Sequence, residues 1–386
     1  MTAATTVSIR TPIPAARSAY IHVPFCLHRC GYCDFTLVAG KDHLIGSYLD
    51  GLARELEMLG EPREVETLFF GGGTPTHLPA ADLAQLLDQV RRWFPLAEGY
   101  EWSVEANPHG FDADKMQVLA DRGVNRISLG VQSFDPHVLR FLERDHQPEE
   151  IDTTRALLRS QFDNISFDLI FGVPGQTLES WRETLRRALA LEPQHLSTYG
   201  LTFEKGTSFW SRRSKGEIRQ LPEELEREMY ALAMEELEAA GFVQYEISSF
   251  ACPGFECRHN QVYWTGLPYY GFGPGAASYL AGCRAVNHRS VTTWLKRIRA
   301  GESPVGESEE LSPEDRARER IVLVLRRCAG LHRDDFRKQT GYDLDDLAGE
   351  VITRHRDAGL LEESEGHLRL TREGRFVADS VIVDFL

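Results

Sequence analysis

This 386-residue sequence has no uninterrupted apolar stretch long enough to span a bilayer, which argues against a helical membrane protein. Its amino terminus lacks the charged-then-apolar pattern of a secretory signal. The first 19 residues also lack acidic side chains and carry Arg10 and Arg17, a faint resemblance to an organelle transit peptide; a short disordered leader over 1–17 is expected. A basic excess is missing: 43 Lys and Arg stand against 58 Asp and Glu, a net charge of −15 that repels a phosphate backbone. There is no low-complexity segment. Hydrophobic residues at 42% and charged residues at 26% exclude a disordered chain, and the length implies two or three domains with sizeable cores. Cysteine is scarce and odd in number, seven in all. Without an export signal, that argues against a disulfide framework and for metal or cluster chemistry in the reducing cytoplasm.

What is present is an alternation. Runs rich in β-branched and aromatic residues read as strands at Ala19–Phe25, Thr67–Gly71, Tyr100–Glu105, Arg126–Gln132, Ile165–Phe171 and His195–Thr202. Between them, apolar residues recur at steps of three and four, as with Leu49, Leu52, Leu56 and Leu59, or Leu83, Leu86, Leu87 and Val90. Six βα units imply an α/β fold with a parallel sheet, either an incomplete barrel or an open doubly wound sheet. In both, ligands gather at the C-terminal strand ends. Gly71–Thr74, Glu105, Gln132 and Asp168 fall there. After about Leu221 the alternation stops: a long helix over Pro222–Ala240 is expected to close this domain (18–240), followed by a Gly- and aromatic-rich extension (241–300). Gly301–Pro313, acidic and proline-bearing, reads as a linker. The tail, 314–386, reads as a small helical module ending in a β-hairpin, with Leu361–Leu370 as a wing. Residues 312–386 hold 13 Lys and Arg against 16 Asp and Glu, so the tail lacks the basic face of a winged DNA-binding module.

Three cysteines, Cys26, Cys30 and Cys33, are spaced C-x3-C-x2-C in the loop after the first expected strand. Three thiolates leave a structural zinc one ligand short, although His22 or His28 could complete it. They can equally hold a four-iron cluster and leave one iron without a protein ligand. Packing of reduced thiols is the third reading.

The flanks of this motif are distinctive. Y-I-H-V-P-F-C-L-H-R-C-G-Y-C-D-F, then G-G-G-T-P-T, then G-V-Q-S-F, resembles the radical S-adenosylmethionine (SAM) enzymes over Tyr20 to Leu386. Within them it looks like the group that holds oxygen-independent coproporphyrinogen III oxidase and the haem chaperone HemW. The resemblance implies a partial (β/α)6 TIM-like barrel with a winged-helix-like carboxy-terminal module. It implies a [4Fe–4S] cluster on Cys26, Cys30 and Cys33, whose open iron is chelated by SAM and whose electron cleaves SAM to release a 5′-deoxyadenosyl radical. It further implies SAM contacts from Tyr20, Tyr32, Gly72, Gly73, Thr74, Glu105, Gln132, Arg144 and Asp168. In isolation each of these would read as a core or solvated residue.

Two departures separate the branches of the group. The oxidases resemble C-x3-C-x2-C-x-C, whereas this chain has Cys33-Asp34-Phe35; they also have a longer segment before the motif, and here 19 residues precede Tyr20. Both favour the chaperone branch over the decarboxylating oxidase. His259-Asn260-Gln261-Val262-Tyr263-Trp264 matches that branch's H-N-x-x-Y-W. A neutral imidazole is a good haem-iron ligand, so His259 is expected to contact haem; the alternative is a histidine packed in an aromatic cluster. Cys252-Pro253 is expected by chance, His288 is a spare haem ligand, and Cys257, Cys283 and Cys328 read as inert thiols. The implied partners are haem-acceptor proteins and an electron donor for the cluster, with no nucleic acid and at most peripheral membrane contact. The chain is expected to be a monomer or a haem-dependent dimer.

Overall fold

The structure, a computed structural model, describes residues 13–386; the rest of the leader expected over 1–17 lies outside the described residues. Six parallel strands form its centre: β1 (Ser18–Val23), β2 (Val65–Gly72), β3 (Leu96–Ala106), β4 (Arg126–Gln132), β5 (Ile165–Phe171) and β6 (His195–Gly200). They lie side by side in chain order. The crossovers are α1 (Ile45–Glu57), α2 (Ala80–Trp93), α3 (Ala113–Asp121), α4 (Pro148–Leu158) and α5 (Leu178–Ala190), and α6 (Glu223–Ala239) follows β6.

The period of two along each strand divides the sheet into unlike faces. Ile21, Phe70, Val104, Leu129, Phe167 and Leu196 are fully or almost fully buried on one face, in a core shared with Leu52 and Leu56 of α1 and Leu86 and Val90 of α2. The other face is polar. Ladder partners run from Tyr20 to Phe69 to Ser103 to Arg126, and from Glu105 to Ser128 to Ser166 to His195. A parallel sheet covered by helices on both sides would read as apolar on both. Here helices cover one side and polar chemistry fills the other, as in a partial barrel.

Three further strands extend the sheet. β7 (Val243–Gln244) and β8 (Ser249–Ala251) add antiparallel beyond β6, and β9 (Tyr270–Phe272) adds parallel beside β1. Among the described residues no ladder joins β9 to β7, so the barrel is incomplete. The extension over 241–300 is therefore partly built into the main sheet. Its α7 (Arg258–Trp264) lies against the polar face, and Glu101 of β3 caps it by accepting from the amides of Arg258 and His259, both at 3.0 Å.

The expected linker over Gly301–Pro313 is not one. Val305–Glu310 is a strand paired to Cys283–Asn287, which in turn pairs with Ala277–Leu280. Its side chains are almost all exposed, so the ladder, together with charge pairing such as Arg284 to Glu309, holds it in place of an apolar face. The tail packs around its own core of Ile321, Leu325, Phe336, Ile352, Leu368 and Phe385. It contains α8 (Pro313–Val324) and the expected hairpin, Leu361–Ser364 with His367–Leu370. It does not end there: Arg372–Phe376 and Ala378–Ile382 are helical, and Ala378, Val381 and Ile382 return to the same core. Among the described residues no helix is long and apolar enough to cross a membrane.

Candidate functional site

The C-terminal ends of β1 to β6 open onto a cavity of about 1190 Å³. Cys26, Cys30, Cys33 and Tyr32 enter it from the loop after β1; Gly72, Gly73 and Thr74 from the end of β2. Glu105, Gln132 and Asp168 enter from β3, β4 and β5, and Arg144 from the loop beyond β4. Strand ends thus gather residues from distant parts of the chain.

The cysteine loop is held on both sides. The Phe209 ring sits 2.2 Å from where a Cβ on Gly31 would stand, so only glycine fits between the cysteines there. Arg29 ties the loop down by donating to the carbonyls of Cys33 (3.2 Å) and Leu37 (2.9 Å). Burial pushes the Cys26 thiol up to about 11, with the Thr74 hydroxyl pulling the other way; burial also raises Cys33. Loading a metal or cluster must therefore displace protons from these thiols. His22 does not complete a zinc shell: its Nε2 is 2.6 Å from the Thr36 carbonyl and its Nδ1 3.1 Å from the Tyr20 hydroxyl.

A chain of hydrogen bonds joins two of the cysteines. Arg144 Nη2 donates to Asn107 Oδ1 (2.7 Å), Asn107 Nδ2 donates to Thr74 Oγ1 (3.0 Å), and the Thr74 hydroxyl is left to donate to Cys26 Sγ (3.1 Å). Arg144 Nη1 lies 3.7 Å from Cys30 Sγ, and its buried Nε has no partner. Asn107 is the residue that sequence reasoning missed. Its signal was an Asn-Pro pair just past a strand end, a pattern shared by many plain turns.

The glycine turn packs against the protein's own backbone and the His22 ring. Gly72 has φ +109°, and a Cβ there would meet the His22 ring at 2.4 Å. The close approach is thus to protein. The amides of Gly72, Gly73 and Thr74 are taken by Glu105 Oε2 (3.0 Å), Val23 O (2.8 Å) and Phe25 O (2.7 Å). What the turn can offer a ligand is carbonyl oxygen, an acceptor for an amine.

Two carboxyls share the floor. Burial, with Asp168 adding, pushes Glu105 up to about 8, against the pull of the Gly72 amide. Asp168 is raised by burial and accepts from Ser128 Oγ at 3.0 Å. Gln132 reaches the cavity from a left-handed backbone, φ 61°, where β4 ends.

Two expected contacts lie elsewhere. Tyr20 lines a second cavity of about 840 Å³ with His22, Tyr263 and Trp264. His259 lines neither cavity. It is fully buried, with Nδ1 2.8 Å from Thr67 Oγ1, Nε2 2.8 Å from the Tyr263 hydroxyl, and its ring stacked 5.1 Å from Phe69. Burial lowers it to about 3, so it is neutral, but neither ring nitrogen is free for an iron. This is the packed histidine of the aromatic cluster. Asp34 and Phe35, directly after Cys33, line both cavities and form the wall between them.

Residues 20–188 match the radical SAM superfamily and residues 311–377 the HemN C-terminal domain. The heme chaperone HemW of Bacillus subtilis is 38% identical over 376 residues, covering 96% of this chain and 99% of that protein. The chain belongs to the HemW family of radical SAM proteins. A second HemW, from Lactococcus lactis, is 36% identical over 370 residues, covering 96% and 97%. The solved structure of coproporphyrinogen III oxidase (HemN) from Escherichia coli superposes with a TM-score of 0.85 at 24% identity, over 98% of this chain and 91% of that one, which shows the shared fold.

Membership implies a [4Fe–4S] cluster and SAM, and the donor set suits both. Three thiols face one cavity from one loop, as a cluster with one free iron requires. At the strand ends beside the cysteine loop, the Glu105 and Asp168 carboxyls, the carbonyls of the glycine turn and the Arg144 guanidinium complement a ligand that carries positive groups and a single carboxylate.

Proposed function

We propose that this chain is a haem chaperone: it carries a [4Fe–4S] cluster, binds SAM and haem, and hands haem to acceptor proteins such as respiratory haem proteins. The observation that carries the reading is near-full-length identity to HemW proteins, 38% over 376 residues. The Cys33-Asp34-Phe35 ending of the motif agrees with it.

When bound, the cluster and SAM supply one-electron chemistry, drawn from an external electron donor. The protein's own residues bind and orient. Cys26, Cys30 and Cys33 hold three irons. The Thr74 hydroxyl and the Arg144 guanidinium stabilise thiolate charge at Cys26 and Cys30. Arg144 also faces the SAM carboxylate, while Glu105 and the carbonyls of the turn at Gly72 and Gly73 accept from its amine. Asp168 takes ribose hydroxyls, Gln132 orients the methionyl end, and Tyr32 closes the cysteine side against water. The protein acts in the cytoplasm, as a monomer or a haem-dependent dimer, with no nucleic-acid partner and at most peripheral membrane contact.

The rival reading is oxidative decarboxylation of coproporphyrinogen III, favoured by the HemN-like fold. Anaerobic protein, reconstituted and haem-loaded, is mixed with an apo-haem protein while a parallel sample receives coproporphyrinogen III, SAM and reductant. Transfer of the Soret band to the acceptor without protoporphyrinogen formation is the expected result. Protoporphyrinogen formation without transfer overturns the reading.

A further inference from the structure

The rim of the barrel beside the cysteine loop carries charge of the opposite sign to the chain as a whole. The net charge is −15, yet between Leu201 and Gln220, just after β6, Lys205, Arg212, Arg213, Lys215 and Arg219 stand against only Glu204 and Glu217. Arg212 is already taken: it pairs with Glu143 at 3.1 Å and reaches Glu217 at 3.9 Å. Lys205, Arg213, Lys215 and Arg219 are exposed, and among the described residues none of them is in an ion pair. Arg213 lies over the Phe203 ring, 5.1 Å from its centroid. Cations gathered in this way raise a local positive potential that attracts an oppositely charged partner.

This patch is fastened to the loop of the cluster ligands. Its helix, Ser208–Ser214, is too short to stand alone and is anchored by Phe209, which is buried with Leu142, Ile170, Val173 and Phe203. The Phe209 amide donates at 2.8 Å to the carbonyl of Gly31, which lies between Cys30 and Cys33, and the ring centroid stands 6.2 Å from that of Tyr32. The loop itself is open to solvent in part: Leu27, His28 and Arg29, the three residues between Cys26 and Cys30, are all exposed. Leu27 is 53% exposed and Trp210 of the short helix 37%, two of the large apolar side chains that the fold leaves in water. Apolar side chains beside unpaired cations are the makings of a protein-docking face.

We propose that this face docks an acidic, low-potential electron-carrier protein that reduces the cluster. The proposal rests on the radical SAM reading, in which the cluster draws an electron from outside, and it gives that donor a place. One electron leaves the carrier and enters the cluster; no bond forms or breaks. Two proteins of negative net charge repel over most of their surfaces, so a local basic face both speeds the encounter and sets its orientation. Redox encounters of this kind are small and transient, which suits a face made of one short helix and one loop. Anionic lipid is the other ligand that a basic patch with an exposed tryptophan attracts. The attachment of this patch to the loop of Cys26, Cys30 and Cys33 favours the reductant.

Oxidised flavodoxin, an acidic one-electron carrier, is the probe. NMR titration measures its binding to anaerobically reconstituted wild type, to Lys215→Glu, to Arg219→Glu and to the double variant, each with unchanged melting temperature. Lys296→Glu, on the distant helix Val291–Arg299, is the control. Wild-type affinity should fall at least roughly tenfold between about 0.05 M and about 0.5 M salt. At low salt each single variant should lose roughly threefold and the double variant roughly tenfold, and all should converge with wild type at high salt. The control should match wild type throughout. Reduced flavodoxin should reduce the variant clusters more slowly in the same ratio, while dithionite, too small to need a docking face, reduces every protein alike. The docking face is overturned if the variants bind flavodoxin as wild type does, if their loss persists at high salt, or if dithionite reduction slows equally. It is also overturned if the double variant keeps flavodoxin and instead loses binding to phosphatidylglycerol vesicles. In those cases the cluster and chaperone readings survive. A wild type without a reducible cluster overturns the cluster reading and the docking face together.

Discussion

The Sγ of Cys26 lies 3.1 Å from the hydroxyl of Thr74, a residue forty-eight positions further along the chain. That contact joins the cysteine loop to the glycine turn, and Asn107 and Arg144 extend it to Cys30. Hydrogen bonds to cluster sulfurs stabilise the more negative, reduced state. Thr74→Val removes the donor while keeping the side-chain volume. Its reduced cluster should titrate about 60 mV lower than wild type, the equivalent of about 1.4 kcal/mol for one electron. Potentiometric titration followed by EPR reads it. An unchanged potential would mean that the hydroxyl does not touch a cluster thiolate.

Glu105 gives SAM binding a pH dependence. Burial, reinforced by Asp168, holds its carboxyl up to about 8, so below that pH the free protein carries a proton there. A cationic ligand favours the ionised form, so the proton leaves on binding. SAM affinity should rise with pH, by up to about tenfold per unit, and level off above about 8. Glu105→Gln should lose that portion of the slope, while titration of the ligand's own amine persists in both proteins. Calorimetry from pH 6.5 to 9 compares them. Parallel profiles would remove Glu105 from the site.

Much of this was legible in the sequence, for stated physical reasons. β4 and β5 were readable to the residue because β-branched and apolar runs are bounded by turn residues. The strand ends pointed to the cavity because ligand chemistry collects there in parallel sheets. Val305–Glu310 was not readable, since an acidic, exposed run carries no apolar alternation and its partner strand is what makes it a strand. β9 hid in a glycine-rich stretch of three ladder residues. The burial of His259 was not readable, because a motif shows that an imidazole is present and says nothing about what its nitrogens touch. Asn107 went unnoticed because a lone polar residue gains meaning only from the partners on either side of it.

One buried carboxyl serves the scaffold alone. Glu55 of α1 accepts from the Gly273 amide (2.9 Å), Asn287 Nδ2 (2.6 Å) and Trp294 Nε1 (3.2 Å), fastening the extension to the first crossover helix. Glu55→Ala leaves the Gly273 amide and Trp294 Nε1 without an acceptor and Asn287 Nδ2 with only the Gly273 carbonyl, and should cost about 3 kcal/mol, read from urea denaturation. Burial raises this carboxyl to about 7, so between its unfolded range and about pH 7 the folded state holds a proton that the unfolded chain has released. Its contribution is full below about pH 4.5 and is lost as pH rises through about 7. Glu55→Gln should lack that loss. A wild-type stability flat across this window, equal to that of the variant, would contradict the assignment.

The central claim is that Cys26, Cys30 and Cys33 hold a four-iron cluster whose remaining iron is open to SAM. Iron analysis and EPR of anaerobically reconstituted protein, before and after adding SAM, test it directly. About four irons per chain and a reduced-cluster signal whose g-values move on adding SAM are expected. An iron content well below four, or a spectrum indifferent to SAM, would contradict it.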